Sequence, residues 1–390
     1  MAGRSGLWLI GGRGSVATTA VCGLAALRAG LVPATGSVSE RLGLDPAVFP
    51  GWSELVTGGH DLVPTPLGKR AEELAAAGVL PGWLPSAVAE ELDAADREIR
   101  RGYDPADPAD QPPTQAEAAA RLAADIAEFR RSHGLERVVV VNVSSTEPPL
   151  PPAPELADLA ALEPALAQAG RRVLGPSALA AYAAFSADCP YVDFTPSPGL
   201  RIPAVTELAD RRGLPYAGCD GKTGETLLRS ALAPMFIARG LRVRSWAGTN
   251  LLGGGDGANL GQEGRAQGKL AAKSRGLAAL LGEQVTAPLH IDHVPDLGER
   301  KVAWDHVSFE GFLGTAMSLQ LSWDGYDSTL AAPLVLDLAR LVAGAHAAGQ
   351  RGPLGALAFF FKDPLGSEEH RLAQQEQELA SWARRIAVAR

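Results

Sequence analysis

Residues 5–30 read SGLWLIGGRGSVATTAVCGLAALRAG. Gly6 to Ile10 is a short apolar run of strand type, and it leads into Gly12-Arg13-Gly14-Ser15-Val16-Ala17, a G-x-G-x-x-A pattern that opens a helical repeat. In a strand–turn–helix unit of this kind the first glycine makes the tight turn. The second lets a pyrophosphate approach the backbone, and the small third residue packs helix on strand. Gly12, Arg13, Gly14, Ser15 and Val16 are therefore candidate cofactor contacts. A glycine-rich turn with no ligand has the same composition, so the strand before it and the amphipathic helix after it carry the inference. One partner is missing: an acidic residue roughly 20 residues on should end a second strand and hold the ribose. The chain there reads LVPATGSVSERLGL, with no β-branched run ending in aspartate. Asp61, in TGGHDL (57–62), is the nearest substitute, reached after an insertion.

With 390 residues, 46% of them hydrophobic, the chain can bury a large core, enough for two domains or one large α/β domain with an insertion. A net charge of −8 gives no basic footprint for nucleic acid or an anionic membrane surface, so the expected partners are small molecules or further copies of the chain. Cys22, Cys189 and Cys219 are widely spaced, with no CxxC. Neither a disulfide framework nor a zinc site is indicated, and no metal is expected. Only four consecutive apolar residues, Leu7 to Ile10, precede the first glycines, and no later apolar run is uninterrupted over about 20 residues. The expected location is cytoplasmic.

From Lys69 to Arg101 apolar residues recur at helical spacing, until YDPADPADQPP (103–113) breaks the pattern as an exposed linker. Thr114 and Glu117 form a capping-box pair for a helix through about Arg131. ERVVVVNVSSTEPP (136–149) predicts a strand buried on both faces, because its apolar run does not alternate. At its carboxyl end Ser144, Ser145, Thr146 and Glu147 are candidates for the cofactor side, though each could equally cap a turn or helix. Strands at 189–196 and 214–218 with a helix at 203–212 continue the alternation, which predicts a Rossmann-like, doubly wound, mostly parallel sheet. Strand-like segments at 286–292, 301–308 and 314–323 predict a separate open sheet, and helices at 328–348 and 367–386 return to the first unit. The expected organisation is a nucleotide-binding part over 1–222, an inserted α+β catalytic and oligomerisation domain over 223–327, and a return over 328–390.

Positive charge is distributed unevenly between arginine and lysine. Of 36 basic residues only six are lysines, and Lys222, Lys269, Lys273 and Lys301 fall between Ala217 and Lys301. Lys362 sits in the apolar run LAFFFKDPL. Lysines beside glycine-rich loops are often merely solvated. A chain that otherwise uses arginine, however, has reason to use lysine where chemistry needs a compact, proton-exchangeable point charge. With backbone N–H groups at a helix start, this stretch suits a phosphorylated polyol and its developing oxyanions.

The ordered motifs AGCDGKTGET (217–226), GTNLLGGGDGANL (248–260), QGKLAAKS (267–274), GERKVAWD (298–305), YDSTLAAPL (326–334) and FFFKDPL (359–365) resemble those of the myo-inositol-1-phosphate synthase family. The N-terminal glycine loop and TGGHDL match it too, so the resemblance spans nearly the whole chain. It implies a redox-neutral cyclisation of a hexose 6-phosphate by tightly held NAD: oxidation at carbon 5, enolisation, intramolecular aldol closure and reduction. Lysine ammonium groups suit the ketone, the enolate and the attacked carbonyl oxygen. By the resemblance, Lys269, Lys273, Lys301 and Lys362 line the reacting carbons, with Asp256 and Asp327 beside the nicotinamide and the lysines. Lys222, Thr223, Gly224, Glu225 and Thr226 receive the phosphate, and Asp220, Asn250 and Asp327 lie on the cofactor side. A homotetramer is also implied.

Three departures bear on the substrate. Glu225 stands where the family usually has glutamine, and Gly254 and Gly255 replace two asparagines; the chain is also shorter than the eukaryotic members. A carboxylate at 225 weakens phosphate binding unless Lys222 or another cation offsets it. The same chemistry on fructose 6-phosphate would close a five-membered ring, as in carbocyclic nucleoside pathways. An ordinary NAD-dependent sugar-phosphate dehydrogenase would instead accumulate reduced cofactor, and a non-catalytic NAD-binding regulator would free its lysines to drift to arginine.

Overall fold

A computed structural model of the chain describes residues 3–105, 113–254, 277, 280–282 and 285–388. The first sheet contains β1 (Ser5–Ile10), β2 (Leu55–Asp61), β3 (Ile99–Arg101), β4 (Arg137–Asn142), β5 (Tyr191–Asp193), β6 (Pro215–Gly218) and, from the far end of the chain, β11 (Gly352–Pro353). Their order is β11-β6-β5-β4-β1-β2-β3, all parallel. Side chains of alternate residues leave a strand on opposite faces. Leu7, Leu9, Val139 and Val141 thus enter one core, and Trp8, Val138 and Val140 the other. Both faces are covered by helices, so β4 reads as an unbroken apolar run.

The described helices are α1 (Ser15–Arg28), α2 (Val38–Arg41), α3 (Leu67–Ala76), α4 (Leu84–Ala87), α5 (Ala89–Arg97), α6 (Gln115–Ser132), α7 (Leu159–Leu166), α8 (Pro176–Ser186), α9 (Pro203–Arg212), α10 (Gly224–Ala238), α11 (Asp327–Ala347) and α12 (Leu372–Val388). α1, α3, α5, α11 and α12 cover the first face; α6 to α9 cover the second. α6 begins with the capping box, Thr114 accepting from Glu117 N–H and Glu117 from Thr114 N–H. α11 is long and apolar enough to cross a membrane by length and composition, yet most of it is buried against α1 and the sheet, as the core helix of the fold.

The second sheet has the order β10-β9-β7-β8, formed by β7 (Arg242–Leu252), β8 (Leu289–His293), β9 (Lys301–Glu310) and β10 (Ala316–Gly325). β9 runs antiparallel to β7 and β10, and β8 parallel to β7. α10 packs on one face through Ala233 and Phe236, against Val243, Trp246 and Val307. At the turn between β9 and β10, Phe312 and Leu313 are 89% and 86% exposed.

Two expectations change. The helical spacing assigned to 69–101 ends at Arg97, and Ile99–Arg101 pairs with Gly59–Asp61 as an edge strand. The tight turn after β1 is made by Gly11, with φ +83°, and not by Gly12. A Cβ on Gly11 would stand 2.8 Å from the Ser144 Cα, so the turn also depends on a close approach to the end of β4. Gly12 N–H donates to the His60 carbonyl and ties the turn to β2.

Candidate active site

The strand order reverses between β1 and β4, and the carboxyl ends of the strands flanking such a point are where open α/β sheets bind ligands. A cavity of about 780 Å³ opens there. It is lined from β1 and α1 by Arg13, Gly14, Ser15 and Val16, from β2 by Asp61, and from β4 by Ser144, Ser145 and Thr146. Asp220, Thr223, Lys301, Asp327 and Lys362 close it from the other side. Residues separated by most of the chain thus share one space.

Asp61 ends β2, directly beside β1, which is the place the fold gives to a ribose-binding acid. Its Oδ2 accepts from Arg13 N–H at 2.7 Å, and Oδ1 from Leu62 and Val63 N–H at 2.6 and 2.7 Å. Arg13 is tied to Asp96, Nε to Oδ1 at 2.8 Å and Nη2 to Oδ2 at 3.2 Å. Behind Asp61, the Trp8 indole N–H donates to His60 Nδ1 at 3.0 Å. The His60 proton therefore sits on Nε2, 3.1 Å from Asp125 Oδ2, and burial holds the imidazole below its usual range, neutral.

At the end of β4, Asn142 Oδ1 accepts from Ser144 N–H and Oγ–H at 3.1 and 2.7 Å, while its amide donates to Asp193 at 3.1 Å. Burial raises the Asp193 carboxyl to about 7. Glu147 lines the cavity too, and its Oε1 accepts from Ser177 N–H in the first turn of α8 at 2.6 Å, so its carboxylate serves as a helix cap.

Two lysine–aspartate pairs face the cavity. Lys301 Nζ lies 2.8 Å from Asp327 Oδ2, and Lys362 Nζ 2.7 Å from Asp220 Oδ1. Thr223, at the start of α10, donates from Oγ1 to Asp327 Oδ1 at 3.4 Å. Gly224 follows with φ +53°, and a Cβ there would stand 3.8 Å from Lys301 Nζ. Lysine, aspartate and the first turn of a helix are thus within one side chain's length of each other.

Lys222, Glu225, Thr226 and Asn250 are not on the cavity wall. Lys222 is buried with its Nζ on Gln375 Oε1, and burial pushes the ammonium down to about 7. Glu225 is buried in an ion pair with Arg229, one turn along α10, and accepts from Asn250 Nδ2 at 2.7 Å. Arg229 Nη2 also reaches Asp305 Oδ1 at 3.2 Å, where the Trp246 indole donates at 2.7 Å. Among the described residues Arg229 offsets the carboxylate at 225, and Lys222 has another partner. The Thr226 Oγ1 is buried without a hydrogen-bond partner among the described residues. Lys269, Lys273, Asp256 and Gly255 lie outside the described residues.

Sequence reasoning did not find Arg70, Glu299 or His60. Arg70 Nη2 donates to Ser15 Oγ at 2.8 Å and to Glu299 Oε1 at 3.0 Å, joining α3, α1 and the loop before β9. For His60 the signal was its place next to Asp61. Arg70 and Glu299 are 229 positions apart and carry no local pattern.

A parallel doubly wound sheet, a glycine turn into α1 and an acid ending β2 define a dinucleotide-binding α/β protein, and paired lysines in the same cavity mark it as an enzyme site. The chain belongs to the myo-inositol-1-phosphate synthase family, whose NAD-binding model matches residues 5–384. It is 31% identical to inositol-3-phosphate synthase 1 of Bacteroides thetaiotaomicron over 95% of this chain and 91% of that one. With inositol-3-phosphate synthase 1 of Mus musculus it shares 32% identity over 65% of its length, and the match spans about half, 49%, of the mouse protein. The crystal structure of inositol-3-phosphate synthase from Caenorhabditis elegans superposes with a TM-score of 0.86, at 22% identity, covering 99% of this chain and 86% of that one. The cavity suits a dinucleotide: Gly14 lines it as bare backbone, and a Cβ there would crowd the Gly11 carbonyl at 3.3 Å.

Proposed function

We propose that the chain is an NAD-dependent cyclase that converts glucose 6-phosphate to an inositol phosphate. Family membership supports this, and one arrangement carries it: Lys301, from the second sheet, and Lys362, from the segment beyond β11, enter one cavity, each on an aspartate. Bound beside the glycine turn and Asp61, NAD would supply the hydride acceptor and donor for carbon 5. The protein's own groups supply the remaining steps. Ammonium charges held by Asp220 and Asp327 stabilise the negative charge that develops on oxygen during enolisation and aldol closure. Lys269, Lys273 and Asp256 complete the set by resemblance. By resemblance the phosphate goes to the start of α10, where Thr223 lines the cavity beside Lys301 while Glu225 and Thr226 lie off its wall. Arg13, Gly14, Ser15, Val16, Asp61 and Ser144 to Thr146 hold the dinucleotide.

The catalytic unit comprises 223–327, inserted between the nucleotide-binding segments 1–222 and 328–390. The apolar tip at Phe312 and Leu313 favours assembly through the second sheet into a homotetramer. The free, buried Cys22, Cys189 and Cys219 fit a reducing, cytoplasmic setting.

The test is incubation with glucose 6-phosphate and, separately, fructose 6-phosphate, with NMR of the products and absorbance of the reduced nicotinamide followed together. An inositol phosphate without net cofactor reduction is expected. A five-membered carbocycle from fructose 6-phosphate would move the substrate, and steady cofactor reduction would replace the cyclase with a dehydrogenase.

A further inference from the structure

We propose that Arg70 is a binding residue for the pyrophosphate of the dinucleotide and that Glu299 competes with that pyrophosphate for it. The proposal rests on the NAD-binding site described above. Ser15 opens α1, so the first N–H groups of that helix have no carbonyl one turn earlier to bond, and its end carries partial positive charge. Arg70, in the first turn of α3, brings its guanidinium to the same point. Nη1 is anchored on Glu73 at 3.0 Å, which leaves Nη2 to donate to Ser15 Oγ at 2.8 Å and to Glu299 Oε1 at 3.0 Å. Ser15 Oγ in turn lies 3.4 Å from Glu299 Oε2.

A carboxylate therefore sits on a guanidinium and a serine hydroxyl at the start of the dinucleotide helix, where this fold receives pyrophosphate. All three residues line the cavity. Carboxylate and phosphate oxygens ask for the same donors, and two anions cannot share them at close range without a large repulsion. Arg13 does not substitute, because its guanidinium is taken up by Asp96 and the Val63 carbonyl. Gly254 lies against this contact: a Cβ there would stand 3.1 Å from Glu299 Oε2, and the carboxylate would have to give by a few tenths of an ångström.

The experiment is calorimetric titration of the nucleotide-stripped full chain with NAD, and with adenosine as a probe that lacks phosphate. Arg70→Met should weaken NAD binding by about tenfold or more, and Glu299→Gln should tighten it severalfold. Adenosine binding should be unchanged in both, which a loss of structure would not permit. Weaker NAD binding by Glu299→Gln would overturn the proposal, since Glu299 would then clasp the cofactor and not compete with it. So would an unchanged NAD affinity in Arg70→Met. Failure of the unsubstituted chain to bind NAD would instead remove the NAD reading, and the proposal with it.

Discussion

Lys362 and Asp220 are joined twice: Lys362 Nζ donates to Asp220 Oδ1 at 2.7 Å, and Lys362 N–H donates to the Asp220 carbonyl at 2.7 Å. Both side chains are buried, and Asp220 Oδ2 has no hydrogen-bond partner among the described residues. The ammonium is thus fixed by one oxygen while the other remains for a ligand. From the sequence alone, Lys362→Met is expected to separate function from stability, since methionine keeps the apolar stem. The pair changes that expectation.

Removing Lys362 leaves a buried carboxylate uncompensated, which costs about 3–5 kcal/mol in comparable pairs. Lys362→Met should lower the melting temperature as well as cut turnover by roughly a hundredfold or more. Lys362→Met/Asp220→Asn should recover much of the stability but none of the turnover. Normal product formation in the double variant would exclude a catalytic role for this lysine.

Lys301 offers the contrast. Its side chain is 15% exposed, and that of Asp327 is 36% exposed, so water can solvate the aspartate once the lysine is gone. Lys301→Met should therefore change stability by less than about 1 kcal/mol while turnover falls as far as in Lys362→Met. Paired denaturant melts and product assays measure both quantities, and a large stability loss in Lys301→Met would contradict the comparison.

The sequence made β1, β4, the capping box at Thr114 and Glu117 and the lysine motifs legible because each is a local pattern. β2 was hidden because its middle is Gly58-Gly59, which reads as a turn. Those glycines are required by packing: a Cβ on Gly59 would stand 2.3 Å from the Leu9 carbonyl, and one on Gly58 2.9 Å from Phe129. Asp61 therefore looked like a residue beyond an insertion, when it ends the strand paired with β1. The glycine register slipped by one for a similar reason, since neither Gly11 nor Gly12 announces which has positive φ. The partner of Glu225 was legible in principle, as Arg229 lies four residues on, on the same face of α10.

That cluster gives a prediction about stability. Glu225 and Asp305 share Arg229, so burial and the nearby Glu225 charge hold the Asp305 carboxyl above its usual range. Glu225→Gln leaves Arg229 paired with Asp305 and should cost no more than about 1 kcal/mol, whereas Arg229→Met takes a shared cation from two buried carboxylates and should cost about 3–5 kcal/mol. Urea melts of the two variants decide it: equal losses would mean that the pair at 225 and 229 carries no special weight.

Lys222 gives the last prediction, through pH. Burial lowers its ammonium from 10.5 to about 7, and its Nζ keeps Gln375 as acceptor whether charged or neutral. Below pH 7 the lysine is protonated in both the folded and the unfolded chain, and the folded chain bears the full cost of a buried charge. Between about 7 and 10.5 the folded chain has released the proton and the unfolded chain has not. The unfolded state then binds more protons, so this group makes stability rise with pH, by up to about 1.4 kcal/mol per unit, until it levels off near 10.5. Lys222→Met removes that dependence. Other groups titrate in the same window, including the buried cysteines, whose raised thiols act in the opposite direction, so the measurement is the difference between the two proteins. The melting temperature of Lys222→Met should exceed that of the unsubstituted chain most near pH 6, with the advantage shrinking steadily from pH 7 to 10. An advantage that stays constant over that range would mean that Lys222 does not change its proton on folding.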